Sequence, residues 1–330
     1  MAWYSYPNGP TGTHPMHPPH PQASAQAVAV LQGLLTGDGA LGSAVMPEFL
    51  PTPRTLLTGL AMVESARWHE GRLWFAHWGV GEVIAVDLDG KAEVMATRDP
   101  GSHSMGYSID WLPDGRLITT GPSVNRHEPD GAVMTHCEKG GNEIVVDPRG
   151  HMYVNGADFD FVGGGAPKPG WINLVMPDGT YRQVAGDIEF PNGMVVTPDG
   201  STLVVAESFA GRLSAFDIQD EGGLGGRRVW AEGLGPDGIC IDADSAIWSQ
   251  TADVAAHTGD PNAPAGACVR VVDGGEITHR VETDLPCFAC VLGGPEGKHL
   301  FLLCNEFEGV DQLHAVQARR SAKILVTDAP

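Results

Sequence analysis

The sequence repeats one short phrase six times, and this repeat limits the possible fold more than any other feature. The clearest copy, FPNGMVVTPDGSTLVV from Phe190 to Val205, contains a polar residue, an apolar run, a PDG turn and a second apolar run. Such a phrase predicts a β-hairpin, because Pro, Asp and Gly favour tight turns between apolar strands. The residues that precede the first apolar run in the six copies are Glu64, Tyr107, Asn142, Asn192, Asp237 and Ala289, at steps of 35 to 52 residues.

Repeats of this length, with about four strands each and no helical spacing, are typical of propeller blades. The sequence therefore predicts an all-β fold, a six-bladed β-propeller with four-stranded antiparallel blades, over residues 52–330. Residues 1–51 are predicted to form an N-terminal extension, Pro- and His-rich at first and then helical from Ser24 to Leu35. We expect a strand within Thr52–Leu60 to pair with the last blade and close the ring. The segments LHAVQ and AKILV are expected to be the outer strands of that last blade.

The charge balance excludes several classes of partner. The chain has 20 Lys and Arg against 41 Asp and Glu, a net charge of −21, which argues against binding nucleic acid or an anionic membrane. No apolar run is long enough to span a bilayer, and the N-terminus lacks the pattern of a signal peptide. The six cysteines show no zinc-site spacing, so we expect buried, reduced thiols in a cytoplasmic protein. Cys287 and Cys290, three residues apart on one strand, are expected to point to opposite faces.

Four of the six repeats carry a side-chain oxygen at the same position. These residues are Glu64, Asn142, Asn192 and Asp237. Because equivalent positions on the innermost strands of a propeller converge on its axis, the four side chains are predicted to form one cluster. Two carboxylates and two amides are hard oxygen ligands that favour Ca²⁺, with Mg²⁺ or Mn²⁺ next, and four such ligands leave positions open for water and substrate. The alternative is that Asn and Asp recur there only as turn residues.

Long loops are predicted to surround this cluster. Since strands within a blade are antiparallel, the first strand begins and the second ends at the same mouth, where the segments 156–171 and 251–266 also lie. The candidates for substrate binding at this mouth are His103, Tyr107, Asp158, Phe159 and Trp171, with Phe161, Asp253 and His257 as further loop residues.

Several phrases carry a resemblance to a known family. VESARW, NEIVVDPRGHMYV, FPNGMVVTPDG and GPDGICIDADSAIW resemble the senescence marker protein 30/gluconolactonase/regucalcin family of six-bladed propellers, over about residues 52–326. The resemblance implies a divalent metal, usually calcium or zinc, held by Glu64, Asn192 and Asp237, with Asn142 as a fourth ligand or a substrate contact. It also implies hydrolysis of lactone esters, with Asp237 as the base or as the activator of metal-bound water.

The chain departs from the family pattern at two positions. Asn142 is followed by Glu143, where the family commonly has Asp, and Gly140 stands where the family has an arginine that binds sugar lactones. We therefore expect hydrophobic or aryl lactones to be better substrates than polyhydroxylated ones.

The functional hypothesis from the sequence is a metal-dependent hydrolase that opens a lactone ring, with metal-activated water and Asp237 as base. The cofactor is one divalent metal, with Ca²⁺ favoured and Zn²⁺, Mn²⁺ and Mg²⁺ as alternatives, and the partner is a small-molecule lactone or ester. Two other hypotheses remain open: a phosphotriesterase or arylesterase that uses the same site, and a non-catalytic propeller that binds a ligand at its mouth.

Deleting residues 1–23 is predicted to leave the fold and metal binding intact. This segment has too few apolar residues to contribute a core, so its loss removes little buried area. Cooperative thermal unfolding of the truncated protein, within a few degrees of the full chain, is the expected result. Insoluble or non-cooperative behaviour would contradict it.

Overall fold

The structure, a computed structural model, describes residues 46–98, 106–160, 165–251, 264–309 and 312–330. These residues form six β-sheets, five with four strands and one with five, and the predicted six-bladed propeller is confirmed. The predicted helix from Ser24 to Leu35 lies outside the described residues. Within them, no helix has the length and apolar character needed to cross a membrane.

The strands follow the predicted hairpins in order along the chain. Their bounds are β1 (Glu48–Phe49), β2 (Arg54–Leu60), β3 (Glu64–His69), β4 (Arg72–His77), β5 (Glu82–Val86), β6 (Ala92–Thr97), β7 (Ile109–Trp111), β8 (Leu117–Thr119), β9 (Val124–His127), β10 (Val133–Cys137), β11 (Ile144–Val146), β12 (Met152–Ala157), β13 (Gly170–Val175), β14 (Tyr181–Ile188), β15 (Pro191–Val196), β16 (Thr202–Glu207), β17 (Arg212–Ile218), β18 (Leu224–Glu232), β19 (Cys240–Ile241), β20 (Ile247–Gln250), β21 (Gly266–Val271), β22 (Ile277–Thr283), β23 (Cys287–Gly293), β24 (His299–Cys304) and β25 (Ala322–Asp328). The helix between β24 and β25 is α1 (Leu313–Arg319).

Blades 1 to 5 begin with β3, β7, β11, β15 and β19 and continue through three further antiparallel strands each. Blade 6 begins with β23. Each first strand contacts the first strands of the two neighbouring blades, so these six strands form a closed ring around the axis. This arrangement places the start of every first strand at one end of the axis.

Blade 6 obtains its fourth strand from the beginning of the propeller. Strand β2 pairs antiparallel with β25, with Arg54 opposite Val326 and Thr55 opposite Leu325. The expected closure of the ring by residues 52–60 is confirmed. This pairing covers the outer edge of β25 and closes the ring of blades.

The expectation that LHAVQ forms a strand is wrong, because this segment lies in helix α1. Leu313 and Val316, spaced by three residues, are both buried on one side of the helix. Arg320, in the left-handed conformation, ends the helix. With β2 already paired to β25, blade 6 has no place for a further outer strand.

A short strand also extends blade 5. Strand β1 pairs in parallel with β22, with Glu48 opposite His279 and Phe49 opposite Arg280, and the Leu50 N–H donates to the Arg280 carbonyl (2.8 Å). Two residues of the segment predicted as an extension thus belong to a propeller sheet.

Alternation along the strands builds the core between the blades. In β4, Leu73 and Phe75 pack toward blade 6, whereas Trp74 and Ala76 pack toward blade 2. Equivalent apolar clusters fill the other interfaces between adjacent blades. Each blade is therefore apolar on both faces, as a sheet buried between two others requires.

All six cysteines are buried free thiols, as predicted. Cys287 and Cys290 nevertheless pack in one apolar cluster, so the expectation that they point to opposite faces is wrong. The pairing of β23 with β24 shifts register between Cys287 and Ala289, and such a bulge changes the alternation of side chains along the strand.

Glu207, at the end of β16, is a buried charged residue with several donors. Its side chain is 0% exposed and accepts hydrogen bonds from Arg212 Nε (3.1 Å), Arg227 Nη2 (2.8 Å) and the Ser214 hydroxyl. The Glu189 N–H also donates to it (2.9 Å). Burial opposes ionisation, but these hydrogen bonds outweigh it and lower the pKa of Glu207 to about 2.

Glu207→Gln is predicted to lower the free energy of unfolding by about 3–5 kcal/mol at neutral pH, because two partly buried arginines lose their partner. A carboxyl with a lowered folded-state pKa stabilises above its unfolded pKa of 4.5 and loses that contribution as pH falls toward about 2. The difference in free energy of unfolding between wild type and variant should therefore become smaller below pH 4.5. Denaturant unfolding across this range checks it, with the exposed Glu221→Gln as control. A gap that does not change on acidification would contradict the prediction.

Candidate functional site

The beginnings of the first strands meet around a small cavity on the axis. Residues from five blades line it, among them Ser65, Glu143, Gly193, Gly238 and Ala289. Its volume is about 10 Å³, which is close to the smallest volume that can hold one water molecule. Four of the lining residues directly follow the predicted site residues Glu64, Asn142, Asn192 and Asp237 in the sequence; they are Ser65, Glu143, Gly193 and Gly238.

Hydrogen bonds link every blade to the next around this cavity. We call this set the axial ring. In order, its bonds join Ser65 Oγ with Ser108 Oγ (2.6 Å), Thr120 Oγ1 to the Asn142 carbonyl (2.8 Å), Asn155 Nδ2 to the Asn192 carbonyl (2.6 Å), the Gly193 N–H to the Asp237 carbonyl (3.0 Å), the Gly238 N–H to the Phe288 carbonyl (2.8 Å), and the Val63 N–H to Asn305 Oδ1 (2.8 Å). The last bond joins blade 6 to blade 1 and completes the circle.

Glu64 begins β3 and is fixed in direction by its neighbours. Asn305 accepts from the Val63 N–H and donates to the Val63 carbonyl (2.9 Å). Met62 and Ser65 both have left-handed φ angles, of 52° and 53°, which are strained for residues other than glycine. The backbone on both sides of Glu64 is therefore held in a conformation that neighbouring contacts must enforce.

The two asparagines lie next to each other across the interface of blades 3 and 4. Asn142 Nδ2 lies 3.5 Å from Asn192 Oδ1, and Asn192 Nδ2 lies 3.4 Å from Ser208 Oγ. Asn155, in β12, holds both backbones: its carbonyl accepts from the Asn142 N–H (2.7 Å) and its side-chain amide donates to the Asn192 carbonyl.

Gln250 holds Asp237 in the equivalent way. Its Oε1 accepts from the Asp237 N–H (2.9 Å) and its Nε2 donates to the Gly238 carbonyl (2.8 Å). These two bonds fix the backbone of the residue that carries the carboxylate.

The carboxylates of Glu64 and Asp237 are both half-buried and repel each other. Burial raises the pKa of Glu64 well above its ordinary value, and repulsion from Asp237 and then Glu143 raises it further. Burial likewise raises the pKa of Asp237 well above its ordinary value, with added repulsion from Glu143. Among the described residues, neither carboxylate forms a salt bridge or accepts a side-chain hydrogen bond.

Glu143 lies beside this pair and is a residue whose role at the site the sequence analysis missed. It is 5% exposed, and its Oε2 accepts from the Ser108 hydroxyl (2.7 Å) and lies 3.8 Å from Arg67 Nη2. Burial raises the pKa of Glu143, and Arg67 and Ser108 act in the opposite direction. Its position directly after Asn142 at the start of an apolar strand was the available signal.

Two of the residues predicted to bind substrate lie around a lysine on the blade 3 side of the mouth. Asp158 Oδ1 lies 3.6 Å from Lys139 Nζ, which lies 4.3 Å from the centre of the Trp171 ring. Trp171 is buried, and its Nε1 has no hydrogen-bond partner in the described part of the chain. His103 lies outside the described residues, as do Phe161, Asp253 and His257.

Tyr107 is 2% exposed, and its hydroxyl donates to the Glu82 carbonyl (2.5 Å). Its ring lies 4.3 Å from the guanidinium carbon of Arg98. Tyr107 is therefore a packed residue near the mouth, with Arg98 above its ring.

Three phenylalanines form an aromatic wall next to Asn192. Phe190 and Phe209 stack with ring centres 4.2 Å apart, and Phe159 lies 5.9 Å from Phe190 and 6.4 Å from Phe209. The Ser208 N–H donates to the Phe190 carbonyl (3.1 Å), which fixes the two segments side by side. Only Phe159 was predicted from the sequence; the phrase FPN directly before the strand of Asn192 was a usable signal for Phe190.

The side chains that hold the strand beginnings were also missed. Three buried residues lie in or directly after second strands, in the phrases YVN, WSQ and LLCN; they are Asn155, Gln250 and Asn305. A polar residue that ends such a phrase was the signal. Its partners, on another blade or across a hairpin, cannot be read from the sequence.

The structure gives a physical reason for the glycine at position 140. A Cβ built on Gly140 would lie 2.0 Å from the Gly121 carbonyl oxygen and 2.6 Å from the Ser123 nitrogen. No side chain fits there without moving the backbone, so the arginine of the family pattern has no place at this position.

Comparison with known proteins gives consistent results for this chain. The sequence model described as the SMP-30/Gluconolactonase/LRE-like region matches residues 122–305. A lactonase, drp35, from Staphylococcus haemolyticus is 25% identical over 190 residues, which cover 51% of this chain and 56% of that protein. Regucalcin from Gallus gallus is 24% identical over 248 residues, covering 70% of this chain and 75% of that protein. The chain thus spans little more than half the length of the staphylococcal lactonase.

Two solved structures share the fold. A gluconolactonase from Xanthomonas campestris superposes with a TM-score of 0.66 at 19% identity, covering 88% of this chain and 94% of its own. A regucalcin from Agrobacterium tumefaciens, described as a calcium-binding protein, gives a TM-score of 0.66 at 17% identity, covering 87% of this chain and 97% of its own. Because the sequence match extends over more than half of the residues, the chain belongs to the SMP-30/gluconolactonase/LRE-like family.

Proposed function

We propose that this chain is a hydrolase that opens lactone rings with the help of one divalent cation. The observation that carries the proposal is the pair of carboxylates Glu64 and Asp237, which repel each other at the axis and have no positively charged partner among the described residues. Family membership and the relatives described as lactonase and gluconolactonase support the same activity.

The donor set at the axis fits a hard divalent cation, with Ca²⁺ as the favoured ion and Zn²⁺, Mn²⁺ and Mg²⁺ as alternatives. No group of three His, Cys, Asp or Glu side chains with metal-binding geometry occurs in the described part of the chain, so the set must include the amides of Asn142 and Asn192. Glu64 and Asp237 supply the two negative charges that neutralise such an ion, and carbonyl and carboxylate oxygens are the ligands that Ca²⁺ prefers. A cation held there supplies Lewis-acid polarisation of a carbonyl oxygen.

The remaining steps belong to the side chains of the site. Asp237 accepts the proton of the attacking water through its carboxylate, while the oxygen of that water forms the new bond to the ring carbonyl carbon. The bond between this carbon and the ring oxygen then breaks, and the ring oxygen takes the proton from Asp237. One lactone and one water thus give one hydroxy acid. Gln250 and Asn155 keep the strand beginnings in place while the substrate binds.

The same assay tests the two alternative functions, a phosphotriesterase or arylesterase and a non-catalytic binding protein. A phosphotriester or aryl ester has an oxygen that a cation polarises as it does a lactone carbonyl, and a binding protein would hydrolyse none of them. We expect γ- or δ-lactones to be hydrolysed faster than aryl esters and a phosphotriester, and a chelator to abolish the activity. Hydrolysis that persists in chelator would contradict a metal requirement.

The cytoplasm is the proposed location, because six buried reduced thiols suit a reducing compartment.

Asp237→Asn is predicted to leave less than about 1% of wild-type activity even at saturating metal. The amide keeps an oxygen of nearly the same shape but cannot accept the proton, and loss of a general base costs about 10²–10⁴-fold. Steady-state kinetics over a metal titration measures the effect. Asn192→Asp is the matched control, since it changes charge at a ligand without touching the base. Full recovery of the Asp237→Asn variant by added metal would reduce Asp237 to a ligand.

The aromatic wall defines the proposed substrate preference. Phe159, Phe190 and Phe209 offer apolar surface next to Asn192, and Gly140 leaves no room for a side chain that could bind sugar hydroxyls. Hydroxyl groups placed against rings lose hydrogen bonds with water without replacement.

An aryl-substituted lactone is therefore predicted to have a kcat/KM at least about tenfold above that of gluconolactone. Phe209→Ala should reduce this ratio, because it removes one face of the stacked pair. A wild-type preference for gluconolactone would contradict the prediction.

A further inference from the structure

Arg98 lies at the mouth of the propeller on the side of blades 1 and 2. It follows β6, and its N–H donates to the Gly81 carbonyl (2.7 Å). Because the four strands of blade 1 alternate in direction, the end of β6 lies at the same end of the propeller as the beginning of β3, where Glu64 stands.

The guanidinium of Arg98 is poorly paired for a group so enclosed. Arg98 is half-buried. Within the described residues its buried Nη1 has no hydrogen-bond partner and its side chain forms no salt bridge, in a chain with 41 acidic residues. The contact that the structure gives it is the face of the Tyr107 ring, 4.3 Å from the guanidinium carbon. Buried arginines are ordinarily paired with carboxylates, so an unpaired one requires an explanation.

Arg98 keeps its charge in this place. Burial lowers the pKa of Arg98, but a guanidinium remains protonated near neutrality even when enclosed. His127 is another titratable group near it, and burial and the neighbouring Arg98 charge both lower the pKa of His127. The environment of Arg98 thus contains a neutral tyrosine and a histidine that favours its neutral form.

The backbone around Arg98 leaves it room and places it between two parts of the candidate site. A Cβ on Gly121 would lie 2.3 Å from Arg98 Nη2, so the guanidinium occupies the space that a side chain at position 121 would fill. Gly121 pairs with Gly141, directly before Asn142. On the other side, Tyr107 follows Gly106, where a Cβ would lie 3.3 Å from Glu64 Oε2.

We propose that Arg98 binds a carboxylate that the substrate carries away from its ester bond, so that the preferred substrates are lactones with a carboxylate substituent. A guanidinium binds a carboxylate through two parallel hydrogen bonds, and such a ligand would pair the buried Nη1 and supply the missing negative charge. Tyr107 acts beneath it as a positioning residue that holds the guanidinium plane. The lactone part of this inference rests on the proposed function, whereas carboxylate binding by Arg98 does not.

The kinetic test compares two lactones that differ in one group. γ-Valerolactone carries a methyl group at the ring carbon where γ-butyrolactone-γ-carboxylate carries a carboxylate. We expect the ratio of their kcat/KM values, carboxylate over methyl, to fall by about 30- to 100-fold in Arg98→Met and by a smaller factor in Arg98→Lys, which keeps the charge but loses the paired hydrogen bonds. A ratio that stays within about threefold in Arg98→Met would overturn the proposal.

Arg72→Met is the matched control. Arg72 also lies over an aromatic ring of blade 1, 5.3 Å from the centre of Trp74, but at the other end of the blade and paired with Glu93 (3.0 Å). The selectivity ratio is expected to be the same in Arg72→Met as in wild type. An equal fall in both variants would assign the effect to general destabilisation and overturn the specific role of Arg98.

A binding experiment separates this inference from the hydrolase proposal. Cyclopentanecarboxylate has the ring and the charge but no ester, so its calorimetric titration requires no catalysis. It should bind wild type at least about tenfold more tightly than Arg98→Met, and cyclopentanecarboxamide should show no such difference. If this difference in affinity is found but no lactone is hydrolysed, carboxylate binding by Arg98 is supported and the hydrolase proposal is wrong. Equal affinity for wild type and Arg98→Met, or no binding to either, would overturn the Arg98 site whether or not lactones are hydrolysed.

Thermal unfolding distinguishes a binding role from a structural one. Arg98→Met removes a buried unpaired donor, so its Tm is expected to equal or exceed that of wild type. A marked loss of stability would show that Arg98 supports the fold, against the proposal. Arg98→Lys then decides on binding: at least about fivefold weaker affinity for cyclopentanecarboxylate is expected, and unchanged affinity would overturn the site.

Discussion

The axial ring of hydrogen bonds is the interaction on which the rest of the structure depends. Polar groups at the beginnings of the six first strands lie between the blades, where a buried polar group needs a hydrogen-bond partner. Ser108, Asn155 and Asn305 supply such partners from blades 2, 3 and 6. Since these bonds fix the backbone beside Glu64 and Asn192, the same constraint that closes the propeller also aims the side chains of the candidate site. The stability of the axial ring and the geometry of the candidate site therefore depend on the same hydrogen bonds.

The sequence was sufficient for the fold because the hairpin signal is local. An apolar run, a turn and a second apolar run lie within a dozen residues, and the spacing of the copies predicts blades without any knowledge of contacts. Recurrence at one position of the repeat also predicted that Glu64 and Asp237 lie near each other. What failed depends on contacts between distant residues. LHAVQ was predicted as a strand but lies in helix α1, because β2 already pairs with β25 and leaves no place for another outer strand. The bulge at Cys287 likewise depends on how β23 pairs with β24.

The candidate site combines charge repulsion and backbone strain at the axis, where every blade is hydrogen-bonded to the next. Glu64, Asp237 and Glu143 repel one another around a cavity that has room for about one water, and Met62 and Ser65 are strained beside them. Surrounding apolar clusters between the blades hold this arrangement, because the strands cannot move apart without opening two interfaces at once. Strained backbone and unpaired charges are expected at functional sites, and here they lie together at one end of the axis.

The pairing of β2 with β25 has a consequence for how the protein is made. Strand β2 is synthesised early but cannot pair until β25 has been made, since Arg54 pairs with Val326. Asn305, which holds the residue before Glu64, is 242 residues away from it along the chain. Until β25 has been made, a nascent chain therefore carries an open-ended stack of blades with an unpaired edge. The ring of blades closes and the candidate site is completed only at this late stage.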